Sequence, residues 1–274
     1  MRNDADWGRP TAIVVGSGDV GSAIAVVLHR AGCAVVICDD VDPAWIRRGM
    51  SFANAWYVGN AELDGEAALF CASVKSIPSV LDRRRLIAAT TWSWVAVAAA
   101  LHPVAVVDAT PRWRKAGAAF KSLLPDETLA IGVGSGAADI DFSVEGHCGD
   151  DACKASGTLV HAACSGRFAT SCRIGDRIRE GEIVGAVGAW PVAASRDGVL
   201  RGLAARGARI AEGAALVEVD PRGDPVLCFG VDADALAVGH AVHRALSRHD
   251  LVPVEAAALT PDLTDSRYRV PRQA

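Results

Sequence analysis

The chain has no block of lysines or arginines, and its formal net charge is −4 over 274 residues. It therefore lacks the positive footprint that nucleic-acid binding requires. Its densest basic run, Arg83-Arg84-Arg85, is too narrow for a phosphate patch and reads as the solvated start of a helix. No apolar stretch opens the sequence either: MRNDADWGRP is polar, which argues against a secretory signal and for a cytoplasmic protein. No run reaches bilayer length. The longest, Trp94 to Val107, is interrupted by His102-Pro103, so no membrane segment is expected.

The eight cysteines do not fall into a metal pattern. In a reducing compartment most should be free thiols, and Cys33, Cys38 and Cys71 sit where small buried hydrophobes belong. The later group is His147-Cys148, Cys153, His161, Cys164 and Cys172. It is dense, but zinc sites present two close pairs, and Cys148-x4-Cys153 followed by ten residues to Cys164 is not that arrangement. No metal is expected; a reactive thiol, if one serves, would be Cys148 or Cys153.

What is present is a core-forming composition, 51% hydrophobic and 22% charged, enough for one large core or two modest ones. Thr11 to Asp40 reads as a βαβ unit: an apolar strand enters Gly16-Ser17-Gly18-Asp19-Val20-Gly21, and a helix, a second strand and Asp39 follow. Gly16 suits a tight turn, Gly18 a phosphate approaching bare backbone, and Gly21 close helix–strand packing. The helix start can receive an anion and Asp39 or Asp40 a ribose hydroxyl, so this end is expected to hold a nucleotide. The acid favours NAD, while Arg47 and Arg48 keep NADP open.

Further along, Pro43 suits a first helical turn, and Ala44 to Ala55 is predicted helical. Alternation is poor from Gly65 to Val74. Ile77 to Val80 suggests a short strand or extended connection, and a helix is predicted from Asp82 to Leu101. Val104 to Asp108 is a buried strand that brings Asp108 and Arg112 to the ligand edge of the sheet. Leu129 to Val133 is another, running into a second glycine loop, Gly132-Val-Gly134-Ser135-Gly136, which is either a phosphate loop or an ordinary turn.

From Gly166 the chain repeats itself. Gly166, Phe168, Gly175, Ile178, Glu180-Gly181, Val184 and Val187 recur as Gly198, Leu200, Gly207, Ile210, Glu212-Gly213, Leu216 and Val219, always 32 residues on. Two copies of short strands and glycine turns suit a pseudo-twofold β-sandwich. The Gly-x-x-Ile-x-Glu-Gly turn resembles that of biotinyl and lipoyl domains. Gly188 to Ala194, where those domains carry their cofactor, has no lysine, which excludes covalent biotin or lipoate. Trp190 and Val192 at this tip suit packing against the first domain or contact with a partner. A helix is predicted from Asp232 to Arg248, with His240 and His243 as surface or packing residues.

The expected architecture is α/β. A Rossmann-like parallel-sheet, nucleotide-binding domain (1–145) precedes a small barrel-sandwich hybrid with a closing helix (146–249) and an extended tail (250–274).

The ordered motifs of residues 11–248 resemble the YqeB-type accessory proteins of selenium-dependent molybdenum hydroxylases. The resemblance is carried by Gly16-Ser-Gly18-Asp-Val-Gly21; Pro43-Ala-Trp-Ile-Arg47-Arg48-Gly-Met-Ser51-Phe52; Ile77-Pro78; Val107-Asp108-Ala109 with Arg112; Ile131-Gly132-Val-Gly134-Ser-Gly136; and Val219-Asp220-Pro221-Arg222. It implies an accessory or maturation factor for a molybdenum hydroxylase or related metallocofactor enzyme. In that reading the two glycine loops hold a molybdopterin dinucleotide, with Arg47, Arg48 and Arg112 as charge partners and Asp108 as an acceptor. Two alternatives stand beside it. An NAD-dependent oxidoreductase would need a proton donor, and residues 1–150 contain neither Tyr-x3-Lys nor a His–Asp pairing. A non-catalytic bridge would dock on a client enzyme, and a homo-oligomer is compatible with any of the three. No catalytic residue is singled out.

Overall fold

The computed structural model describes residues 8–110, 120–134, 140–144 and 159–253. Strand β1 (Thr11–Val15), helix α1 (Asp19–Arg30) and strand β2 (Ala34–Cys38) form a βαβ unit with parallel strands. Around it lie β3 (Asn60–Leu63), β4 (Glu66–Phe70), β5 (Leu86–Thr90), β6 (Ala105–Asp108), β7 (Leu129–Val133) and β8 (Phe142–Val144). The eight strands make one sheet in the order β3-β4-β5-β2-β1-β6-β7-β8.

Every neighbouring pair is parallel except β3 and β4. Asp64 and Gly65 have φ of 50° and 82°, the left-handed pair that closes a two-residue hairpin and reverses the chain. Small residues hide the period in this stretch: Ala67 and Ala68 occupy both faces of β4, so alternation is lost although the strand exists.

Three local expectations change. Residues 44–55 are not one helix; they give 3-10 turns at Arg48–Met50 and Phe52–Asn54, then the short helix α2 (Ala55–Val58). Gly49 and Ser51 interrupt the turn, and the Ser51 hydroxyl accepts from the amide of Ala53. Ile77–Leu81 is helix α3, with Pro78 in its first turn, where a missing N–H costs nothing. The long helix predicted from Asp82 divides into β5 and α4 (Trp94–Leu101), because Arg84 turns the chain at φ 56°.

Alternate residues of the central strands enter two cores. Ala12, Val14, Ile37, Val107 and Ile131 share one with α1 and α5 (Ala233–Ser247). Ile13, Val36, Ala88, Val106 and Ala130 share the other with α3 and α4. Helix α5 packs on α1: a Cβ on Gly239 would lie 2.9 Å from Val27 Cγ2 and 3.0 Å from the Ala23 carbonyl oxygen, so only glycine allows this approach.

The repeat appears as β9 (Leu159–His161), β10 (Gly166–Ala169), β11 (Arg177–Ile178) and β12 (Ile183–Val187), followed by β13 (Trp190–Ala193), β14 (Gly198–Leu203), β15 (Arg209–Ile210) and β16 (Ala215–Asp220). They form two four-stranded antiparallel sheets, β13-β12-β10-β15 and β11-β14-β16-β9. Exchanging the two repeats converts one strand order into the other.

The expected fold class is therefore corrected on both counts. The first sheet is mixed rather than Rossmann-like and wholly parallel, because the Asp64-Gly65 turn adds an antiparallel edge. The second part is a pair of antiparallel sheets, and its assignment as a biotinyl/lipoyl-type barrel-sandwich hybrid is withdrawn. The tip that would define such a domain is only the two-residue turn Gly188–Ala189 between β12 and β13.

Candidate functional site

The first glycine loop is built as its sequence requires. Gly16 has φ 103° and donates its amide to the Cys38 carbonyl at 2.8 Å, and a Cβ on Gly21 would collide with the Gly16 carbonyl oxygen. These two glycines serve turn and packing. Gly18 does something else, for a Cβ there would lie 2.7 Å from the Trp45 ring. Trp45 covers the bare backbone that was expected to face phosphate.

Asp39 is committed in the same way. Its Oδ2 accepts from the Ser17 amide at 2.6 Å, the Ser17 hydroxyl at 2.8 Å and the Trp45 indole N–H at 2.6 Å, while Oδ1 accepts from the Asp40 amide at 2.7 Å. A carboxylate holding four internal donors has little left for a ribose. The residues present do not fit a dinucleotide at this loop, and no chemistry is derived through one. The Rossmann nucleotide-binding expectation is corrected here: an indole and a spent carboxylate fill the niche.

Arg47 and Arg48 lie where the two parts of the chain meet. The Arg47 guanidinium forks onto Glu218, Nε to Oε2 at 2.6 Å and Nη2 to Oε1 at 2.9 Å, and Nη1 reaches Asp19 at 2.8 Å. All three side chains are largely buried, at 15%, 4% and 8% exposure for Arg47, Glu218 and Asp19. Arg48 donates Nε to the Leu203 carbonyl at 2.9 Å and Nη1 to Asn54 at 2.8 Å, and burial lowers its pKa. The Leu203 amide returns a bond to the Ile46 carbonyl at 2.8 Å. Burial, aided by the nearby Asp42, pushes the Tyr57 phenol up to about 12, and its hydroxyl donates to the Pro43 carbonyl at 2.8 Å. These contacts knit residues 43–57 to strands β14 and β16; they are a clamp.

At the second glycine loop, Asp108 Oδ1 accepts from the Thr110 amide at 2.8 Å and its hydroxyl at 2.7 Å. Thr110 Cγ2 stands 2.9 Å from the Cβ position of Gly16, so the loop after β6 abuts the first glycine loop. Gly132 pairs between Asp108 and Ser143 in the sheet. Gly134, at φ 109°, donates to the Val144 carbonyl at 2.8 Å and accepts from the Ser143 hydroxyl at 2.6 Å. Arg112, Ser135 and Gly136 lie outside the described residues, as do His147, Cys148 and Cys153.

Val20 is buried in the first turn of α1. Among the described residues no three of His, Cys, Asp and Glu converge as a metal set. Desolvation raises the thiol pKa of Cys38 and Cys71, of Cys33 to about 12 and of Cys228 to about 11, which leaves these thiols protonated and inert. No helix of the described residues is long and apolar enough to cross a membrane.

Sequence reasoning missed Trp45, Glu218, Asn54 and Thr110. Glu218 carried one legible signal, an acid within the apolar run Ala215-Leu-Val-Glu-Val, where only a buried partner explains it.

The chain is 25% identical over 267 residues to the Uncharacterized protein YqeB of Escherichia coli (strain K12), covering 90% of this chain and 49% of that protein. It spans about half the length of that relative. No family model matches it. Among solved structures it is similar to the product-bound ectoine utilization protein EutE (DoeB) from Ruegeria pomeroyi, at 12% identity and a TM-score of 0.21 over 77% of this chain and 52% of that one. It is also similar to a succinylglutamate desuccinylase/aspartoacylase from Rhodobacter sphaeroides, at 12% identity and a TM-score of 0.22 over 77% and 85%. At such scores no site is carried across.

Proposed function

We propose that the chain is a non-catalytic accessory protein that bridges to a client enzyme, the client being a molybdenum hydroxylase or a related metallocofactor enzyme. The observation that carries the reading is the Trp45–Asp39–Ser17 arrangement. Where a dinucleotide enzyme keeps open backbone, this chain keeps a packed indole and a satisfied carboxylate. Beside it, the Arg47 clamp holds two separately cored parts in one frame, which suits presentation of a surface better than turnover. The client class rests on the resemblance of the ordered motifs to YqeB-type accessory proteins; the similarity along 90% of the chain supports the likeness to YqeB and not the client.

Two measurements test this. Calorimetric titration with NAD, NADH and NADPH should give no heat of binding; a dissociation constant below about 100 μM for any of them defeats the bridge. Tagged protein co-expressed with the molybdenum hydroxylase of the same cell should retain that enzyme, and deletion should lower the hydroxylase's activity. Retention of nothing, together with unchanged hydroxylase activity, removes the client.

A further inference from the structure

The two antiparallel sheets are copies of each other, yet among the described residues only one of them has its central strands crossed on the outer face. On β11-β14-β16-β9, residues Ile46 to Gly49 lie across β14 and β16. A Cβ on Gly202 would touch Ile46 at 2.9 Å, Leu203 exchanges bonds with Ile46 and Arg48, and Glu218 receives Arg47. The residues 32 positions earlier are Thr170 and Ser171, just past the end of β10, and Ala186 on β12. Nothing among the described residues lies over them as Ile46 does over Gly202. Ser171 is exposed, Ile183 on β12 is 57% exposed, and Ala169, Ala186 and Pro191 form one row in which Ala169 and Pro191 are exposed and Ala186 half-buried.

The charges differ between the copies in a telling way. Arg167 and Arg209 stand directly opposite each other on β10 and β15, both exposed. Like charges in that relation repel. Arg167 gives Nη1 to the Gly207 carbonyl at 2.8 Å, and neither arginine pairs with a carboxylate among the described residues. The related pair on the covered sheet is Val199 opposite Arg177, so the fold does not require two arginines there. Ala186 also replaces Glu218, so a second copy of this chain's own Arg47 segment would find no acid to bind.

We infer that the outer face of β13-β12-β10-β15 is a docking surface for an extended segment of a partner polypeptide, which lays an apolar side chain on the Ala169-Ala186-Pro191 row and a carboxylate on Arg167 and Arg209. The occupant copies the geometry by which residues 46–49 cover the related sheet, with its charge reversed. Desolvation beside the apolar row strengthens a forked arginine–carboxylate contact and makes the acid a condition of binding. Pro191 on the edge strand β13 disfavours simple strand addition, which leaves the face as the place of contact. The surface deepens the bridge reading by naming where the client is held.

The test begins without the client. A phage-displayed library of random short peptides is selected on the full chain, and recovered peptides are titrated by fluorescence anisotropy against wild type, Arg167→Glu with Arg209→Glu, Ala186→Glu, and Arg177→Glu as a charge control on the covered sheet. Recovered peptides should pair an apolar residue with Asp or Glu. They should weaken at least about tenfold on the first two variants and keep wild-type affinity on the control. Melting curves within a few degrees of wild type identify the variants that fold, and the arginine and alanine variants each suffice alone. Recovery of no peptide, of peptides without acids, or of peptides indifferent to the first two variants overturns the surface. If face-dependent peptides bind but the molybdenum hydroxylase is not retained by wild type, the surface stands and the client assignment fails. If the hydroxylase is retained equally by every variant, the bridge stands and the surface fails.

Discussion

Replacing Arg47 by Met should be among the most damaging single changes in the molecule, and the structure says by how much. The guanidinium makes two bonds to Glu218 and one to Asp19, and those carboxylates are 4% and 8% exposed. Removing the cation takes the guanidinium from two buried carboxylates, a loss of about 3–5 kcal/mol by comparison with other broken buried pairs. Methionine keeps most of the stem volume, so the loss reports charge rather than a cavity. The companion Glu218→Leu should restore part of it, since one of the two buried carboxylates is gone. Recovery is incomplete because Asp19 remains, steadied by the Val20 amide at 3.0 Å and by its place in the first turn of α1. Guanidinium unfolding followed by tryptophan fluorescence reads all three proteins. A single-variant loss below about 1 kcal/mol, the range of exposed pairs, would refute the buried-clamp argument. So would a double variant worse than Arg47→Met.

Other outcomes follow from the same contacts. Gly18→Val reads from sequence as a change that spares the fold, but the new side chain must displace Trp45, and it should cost about 1–3 kcal/mol in thermal or chemical melts; a melt like wild type would show that the indole yields freely. Glu66 is held below the usual carboxylate range by His29 at 2.6 Å, with Arg30 assisting at 3.0 Å. A depressed carboxylate stabilises the fold above its unfolded pKa, and that contribution fades as pH falls from about 4 toward its folded value. Glu66→Gln should therefore lose stability at neutral pH and show a flatter acid limb than wild type; parallel limbs would contradict this. Peptide-resolved thiol labelling under native conditions should spare Cys33, Cys38, Cys71 and Cys228, which are buried, and reach the partly exposed Cys164 and Cys172 first. Early labelling of Cys228 would mean that its surroundings open.

The parts of the fold legible in sequence are those in which one residue type has one physical use. Gly16 at positive φ, Gly21 against a carbonyl, and the apolar runs of β1, β2, β6 and β7 are of that kind, and the 32-residue offset survives because each short strand needs its glycine turn in both copies. The illegible parts are those in which neighbours decide. Residues 44–55 have a helical pattern, but their side chains are divided between Asp39, Asp19, Glu218 and Leu203, and no helix can serve all four. The same division explains the site. Gly18 looks like a phosphate approach because bare backbone suits a ring and a phosphate equally, and only the position of Trp45, 27 residues away in the chain, separates the two. The sequence repeat likewise yields two equivalent sheets, and it is the crossing of Ile46 over one of them that distinguishes it, among the described residues, from the other, where Arg167 faces Arg209.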